Sequence, residues 1–303
     1  MILAADIGGT AAKLALIERD GTIVRRSSAE TAFDGYRTPI LTTVILEARR
    51  FLDREGVEIE GIGVSATGQI DTASGVVIGT NGKIPNYEGA QIRRDMEVAF
   101  GVPVRALNDA NAAALGECFA GCARGLKHVV MATYGTGVGG GIVIDGKIYG
   151  GARGIAGEIG LMPLYAAASS RTGSCYEDHA STSALVRAAE EATGERGLNG
   201  RVIFERLAAG DPALRGVADR WLDDIADGLI ALTHIFNPQM IVLGGGVCAQ
   251  EALFVEPVRR RVLAGAQPRF TKDLRVERAA LGNDAGLIGA ARFFMEETGT
   301  ATY

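Results

Sequence analysis

Between Gly157 and Ser181 the chain reads GEIGLMPLYAAASSRTGSCYEDHAS, so Glu158, Cys175, Glu177 and His179 share one loop-like stretch. Thiolate, imidazole and carboxylate together are the ligand set of zinc. The same side chains could instead bind a substrate, since a carboxylate accepts more than one hydrogen bond. A run of small residues can also carry no chemistry, and these residues leave all three readings open. Three glycine-rich segments bear on the choice: Asp6-Ile7-Gly8-Gly9-Thr10, Gly135-Thr136-Gly137-Val138-Gly139-Gly140-Gly141 and Gly244-Gly245-Gly246. Glycine lets backbone amides approach an anion with no Cβ in the way, and successive N–H groups form a concave nest. One such segment reads as a turn; here all three follow apolar, strand-like runs.

Gly135, Gly137 and Gly140 satisfy G-x-G-x-x-G, but a dinucleotide site needs a helix directly after the glycines, and GIVIDGKIYGG is a hairpin pattern. No Walker loop is present either: Lys83 and Lys147 follow glycines, but Ile84 and Ile148 come next where Ser or Thr is required. What remains is phosphate held between two β-hairpins. Thr10 and Thr136 offer hydroxyls, and Asp6 offers a carboxylate for a hydrated Mg²⁺. The chemistry is phosphoryl transfer by positioning and charge neutralisation.

The elements that must position these groups read as two similar halves. ILAADIG and AAKLALIE are strands, a turn at Asp20-Gly21 leads to TIVRRSSAE, and residues 40–55 are a helix stopped by Gly56. GIGVSATG is a buried strand, QIRRDMEVAFG a helix, PVRALN a strand and DANAAALGECFAG an alanine-rich helix, on which Cys118 and Cys122 are expected to share a face. The second half opens again with a strand, HVVMATYGTG, and a hairpin about Asp145-Gly146. Helices follow at STSALVRAAEEATG, RVIFERLAAG and DPALRGVADRWLDDIADGLIALTHIFN, then strands MIVLGGGV and LRVERAAL. The closing helix, NDAGLIGAARFFMEE, is expected to be capped by Asn283 or Asp284. The pattern predicts a duplicated α/β unit with a cleft between its copies.

A chain of 303 residues accommodates about two domains. Its net charge of −5 argues against a broad nucleic-acid surface. No apolar run approaches the ~20 residues that span a bilayer, and MILAADIGGT lacks the cationic start of a signal peptide. The four scattered cysteines read as reduced thiols, and the expected compartment is the cytoplasm.

DIGGTAAK, LNDANAAALGE, YGTGVGGG, AGEIG and IVLGGGV, in that order along nearly the whole chain, resemble the ROK family (repressors, open reading frames and kinases) of the actin-like superfamily. The resemblance implies a two-lobed α/β, ribonuclease H-like fold with a central cleft. Residues 1–109 form a smaller lobe completed by the C-terminal helix at about 285–303, and residues 110–284 a larger one. It implies an ATP- and Mg²⁺-dependent sugar kinase, commonly a homodimer, with no nucleic-acid or membrane partner. Asp6, Gly8, Gly9, Thr10, Lys13, Thr136, Gly137, Gly244, Gly245 and Gly246 then hold the nucleotide, Asp6 reaching Mg²⁺ through water. Asn108-Asp109, on its own an ordinary helix cap, becomes a sugar-holding amide beside the general base. Gly68, Asn81, Glu158 and Glu177 line the sugar pocket, with 81–87 as a further wall.

The resemblance also answers for the opening loop. The family's zinc ligands fall on Leu161, Ala168, Ser170 and Cys175, so three of the four are absent, and His179 is poorly placed to substitute. No structural zinc is expected; the loop is expected to close by packing of Leu161, Met162 and Leu164. Leu161 also makes one sugar wall apolar, as in zinc-less relatives resembling N-acetylmannosamine kinases and β-glucoside kinases. The expected reaction is phosphorylation of a hexose, acetamido-hexose or β-glucoside, at its 6-hydroxyl. The alternatives are a sugar-responsive regulator, for which no helix-turn-helix precedes Asp6, and an inactive sugar-binding protein, against which the retained acidic residues argue.

Overall fold

The computed structural model describes residues 1–80, 82, 84–163 and 174–301. Its first sheet begins with an antiparallel meander of β1 (Ile2–Ile7), β2 (Ala11–Ile17) and β3 (Ile23–Glu30). After α1 (Ile40–Glu55) come β4 (Gly61–Ala66), a small hairpin of β5 (Gln69–Asp71) and β6 (Val76–Gly79), α2 (Ile92–Phe100) and β7 (Val104–Asn108). The strand order is β3-β2-β1-β4-β7, with β4 parallel to both β1 and β7.

Helix α3 (Asp109–Ala120) leads into the second sheet, whose meander is β8 (Val129–Tyr134), β9 (Val138–Ile144) and β10 (Lys147–Ile148). Next come α4 (Tyr176–Ala180), α5 (Thr182–Thr193), α6 (Gly200–Ala208) and α7 (Pro212–Phe236), then β11 (Met240–Gly244), α8 (Glu256–Gly265), α9 (Pro268–Thr271), β12 (Arg275–Arg278) and α10 (Ala285–Glu297). The order β10-β9-β8-β11-β12, with β11 parallel to β8 and β12, repeats the plan of the first sheet. The duplicated pattern read from the sequence is therefore the pattern of the fold.

Each sheet is apolar on both faces because both are covered. Helices α1 and α2 cover one face of the first sheet through Val44, Phe51, Ile92 and Met96; α10 covers the other through Leu287, Ala291 and Phe294. In the second half, α7 presents Leu214, Val217, Trp221, Ile225, Leu229 and Leu232 at helical spacing to the largest core. Asp211 caps this helix, and Asn237, at φ 44°, ends it before Pro238.

Helices α3 and α10 cross between the two sheets almost backbone to backbone. A Cβ on Gly289 would lie 1.7 Å from the Ala112 carbonyl oxygen, and one on Gly116 would lie 2.2 Å from that of Ala285. Only glycines at the crossing allow this approach, and larger residues would wedge the helices apart.

Several local expectations need correction. Helix α3 ends at Ala120, so Cys122 lies beyond it and shares no helix face with Cys118; its N–H instead donates to Oε2 of buried Glu117 at 2.9 Å. No side chain caps α10, because a 3₁₀ turn over Gly282–Asp284 already runs into it; Asp284 pairs with Arg26 at 2.7 Å instead. The sequence reading also omits α8, where Arg259, Arg260 and Arg261 interrupt the apolar pattern of EPVRRRVLAG and only Val258 and Val262, one turn apart, are fully buried.

Candidate active site

Strand β7 ends at Asn108, and α3 starts at Asp109, so the pair sits at a strand-to-helix junction facing the space between the sheets. Asn108 caps the helix: its Oδ1 accepts the N–H groups of Ala110 at 2.9 Å and Asn111 at 3.2 Å. Its Nδ2 donates to the Gly68 carbonyl at 2.9 Å and to Asp109 Oδ1 at 3.0 Å. Both amide hydrogens are thus engaged, and Asn108 orients Asp109 here. The ordinary cap reading holds for this residue, whose amide hydrogens are spent on Gly68 and Asp109.

Asp109 Oδ1 also accepts the Ala110 N–H at 2.8 Å, which leaves Oδ2 as its open oxygen. The side chain is accessible through the cleft yet densely surrounded by protein between the two sheets. Burial there, with the charges of Asp6 and Glu158 adding to it, pushes its pKa up to about 6 against the lowering pull of the Ala110 and Asn108 hydrogen bonds.

A cavity of about 740 Å³ opens in front of Asp109. Gly68, Asn108, Glu158 and Glu177 line it, as do Thr136, Gly137, Gly245 and Gly246. Burial, and the neighbouring charge of Glu177, raise the Glu158 pKa, while a hydrogen bond from Gln69 lowers it. Glu177 stands on α4, which is anchored beneath by Tyr176, whose hydroxyl bonds Tyr134 at 2.7 Å and the Ile225 carbonyl at 2.8 Å. Glu177 Oε2 accepts the Val138 N–H at 2.8 Å.

Asp6, Gly8, Gly9, Thr10 and Lys13 do not line this cavity; the first glycine turn approaches it through Ile84, and the Asp6 charge is felt at Asp109. Ile84, which lines the cavity, lies over Gly9, where a Cβ would sit 3.6 Å from its Cδ1. Asp6 and Lys13 are directly paired across β1 and β2, Nζ to Oδ2 at 3.3 Å, and Ser65 on β4 donates to Asp6 Oδ1 at 2.7 Å. Gly244 is the exception in the third glycine segment: it ends β11 facing Met131 and Thr133, inside the protein. Asn81 lies outside the described residues, as do Leu164, Ala168 and Ser170 of the opening loop.

Leu161 does not close that loop. It is 60 % exposed and lines the cavity, while Ile159 turns inward and Met162 packs against the second core. Sequence reasoning also missed Gln69, and it missed a second cavity of about 640 Å³. Val186, Leu198 and Phe204 wall this second space, and it joins the first at Tyr134, Gly135, Thr136 and Gly246. Its walls come from α5, α6 and the turn after β11, so no contiguous motif announces it.

The chain is 32% identical over 301 residues to the beta-glucoside kinase of Listeria innocua, covering 98% of each protein. Among solved structures, a ROK family glucokinase from Streptomyces griseus in complex with glucose and AMPPNP is 29% identical with a TM-score of 0.78, over 96% of this chain and 98% of that one. A ROK family protein from Streptococcus pneumoniae in complex with sucrose is 27% identical with a TM-score of 0.85, over 98% and 99%. The family model described as the ROK family matches residues 2–297, and with this architecture and cleft the chain belongs to the ROK family.

Proposed function

We propose that this chain transfers the γ-phosphoryl group of ATP to the 6-hydroxyl of a hexose that carries an acetamido group or a β-linked aglycone. The observation that carries the reading is that Asp109, Glu158, Glu177 and the Gly135–Val138 turn face one cavity, which continues past Thr136 and Gly246 into a second, apolar-walled space. A nucleoside ring fits between Val186, Leu198 and Phe204, which favours ATP over a bare polyphosphate donor. Its phosphates then lie along the two glycine turns. Asp6, held by Lys13 and Ser65, would be the protein carboxylate for a hydrated Mg²⁺, which when bound would neutralise phosphate charge.

Asp109 Oδ2 accepts the proton of the attacking hydroxyl, and Asn108 with the Ala110 N–H fixes the other oxygen so that the carboxylate cannot turn away. General-base assistance of this kind contributes roughly 10²–10⁴ in rate. Glu158 and Glu177 accept further sugar hydroxyls. Leu161, Ile155 and Ile84 are apolar members of the same lining, against which an acetamido methyl or an aglycone is buried at less cost than a hydroxyl left without a partner. The relatives named a beta-glucoside kinase and solved with sucrose support a substituted sugar.

An ADP-release assay over glucose, N-acetylmannosamine, N-acetylglucosamine, fructose and cellobiose tests the proposal. Turnover of cellobiose or an acetamido-hexose above that of glucose supports it. Turnover on none of the five, with sugar binding retained, would assign the protein as a binder instead.

A further inference from the structure

The two glycine turns are gripped by different means. In the second, a carboxylate holds an amide; in the first, hydroxyls hold carbonyls. Thr31, fully buried just after β3, places its Oγ1 2.9 Å from the Gly9 carbonyl oxygen and 3.2 Å from that of Gly8. The Tyr36 hydroxyl donates to the same Gly9 oxygen at 2.7 Å. Thr31 also donates its own N–H to the Thr10 carbonyl at 2.9 Å.

All peptides in the turn are trans, so each N–H points away from the carbonyl of its own peptide unit. With the Gly8 and Gly9 oxygens drawn toward Thr31 and Tyr36, the N–H groups of Gly9 and Thr10 leave on the other side. Among the described residues neither N–H has a protein acceptor. A Gly-Gly peptide has no Cβ to restrain its rotation. Unclamped, it can present a carbonyl dipole to an anion in place of an amide.

The segment delivering the phenol is itself held in an unusual shape. Tyr36 has φ 62° after Gly35 at φ 69°, and a non-glycine residue in this region persists only when its surroundings impose it. Asp34 supplies part of that constraint, accepting the N–H and hydroxyl of Thr38 at 2.9 and 2.8 Å.

We propose that Thr31 and Tyr36 are positioning residues for phosphoryl transfer, holding the Gly8 and Gly9 carbonyls back so that the Gly9 and Thr10 amides stay directed at the terminal phosphates of ATP. The inference rests on the proposed function, which sets this turn against those phosphates.

Thr31→Val, Thr31→Ser and Tyr36→Phe, each in the full chain, test it by steady-state kinetics with ATP varied at saturating sugar. For Thr31→Val, kcat/KM for ATP should fall about 10- to 100-fold, as expected when an ordered charge-assisted donor is lost. The KM for sugar and inhibition by adenosine, which lacks phosphates, should not change. Thr31→Ser should restore kcat/KM to within about threefold, and Tyr36→Phe should show a smaller loss of the same kind. If Thr31→Val does not fold, Tyr36→Phe decides alone. Equal losses toward ATP, sugar and adenosine would mean a merely structural role and overturn the proposal. If Asp6→Ala abolishes turnover while Thr31→Val and Tyr36→Phe leave kcat/KM for ATP unchanged, only this inference fails. If Asp6→Ala itself leaves turnover intact, the phosphate reading of the turn fails first.

Discussion

Glu177 and Val138 are joined by a 2.8 Å hydrogen bond from backbone N–H to carboxylate, which makes a cavity-facing acid also the strut of the second glycine turn. The fit is close: a Cβ on Gly137 would stand 2.3 Å from Glu177 Oε2. Gly137→Ala must therefore push the carboxylate off the Val138 amide. Leaving that amide unpaired costs about 1–3 kcal/mol, so kcat/KM should fall roughly 10- to 100-fold. Steady-state kinetics with each substrate varied should show both the sugar and the ATP terms affected.

Asp109→Asn removes the proton acceptor but preserves the shape of the cleft. Turnover should drop about 10²- to 10⁴-fold with little change in the KM for sugar. The melting temperature should hold or rise, because the charges of Asp6 and Glu158 then repel no third carboxylate. A variant with undiminished turnover would remove Asp109 from the role of base.

The raised pKa of Asp109 predicts an acid limb. The base must be ionised to work, so kcat/KM for the sugar should decline as pH falls through about 6. Glu158 contributes to this rise by its charge. Glu158→Gln should therefore move the limb to lower pH, whatever it does to the maximal rate; a pH–rate profile of the two proteins reads the shift directly. For stability the sign is opposite: a carboxyl with its folded pKa above the unfolded value favours the folded state most at low pH, and this contribution is lost as pH rises toward about 6.

Leu161 stands in the cavity with most of its side chain uncovered. Leu161→Ser should lower kcat/KM for a β-glucoside or an acetamido-hexose relative to glucose by about 10-fold, the scale of a few methylenes in an apolar subsite. Competition between the two sugars in one reaction measures the ratio without separate calibration.

Glu117 is buried in α3 and accepts the N–H groups of Cys122 at 2.9 Å and Leu281 at 2.8 Å, tying the end of α3 to the approach to α10. Glu117→Gln replaces one acceptor with a donor facing an N–H, which should lower stability by about 1–3 kcal/mol in urea unfolding. Unchanged stability would show that the tie is dispensable.

The sequence makes the fold legible because the strand, glycine turn and hairpin occur twice, and a short-range pattern repeated in this way fixes each sheet's first three strands. Asp109, Glu158 and Glu177 are legible through the short motifs around them. Thr31 and Tyr36 are not, since their value lies in carbonyls more than twenty positions away in the chain. Leu161 misleads for a local reason. An apolar residue in a loop reads as packing, but the tight 3₁₀ turn Ile159–Leu161 sends Ile159 to the core and Leu161 to the opposite side. Asn108 shows the reverse case, a cap signal that is correct and still incomplete.

The placement of α10 sets an order of events during synthesis. Ile2, Ala4, Ala15 and Ile17 leave the ribosome well before the side chains that cover them, Leu287, Ile288, Ala291 and Phe294. Until α10 has been made, one greasy flank of the nascent first half is bare, a site for a chaperone to shield or for another unfinished chain to stick to.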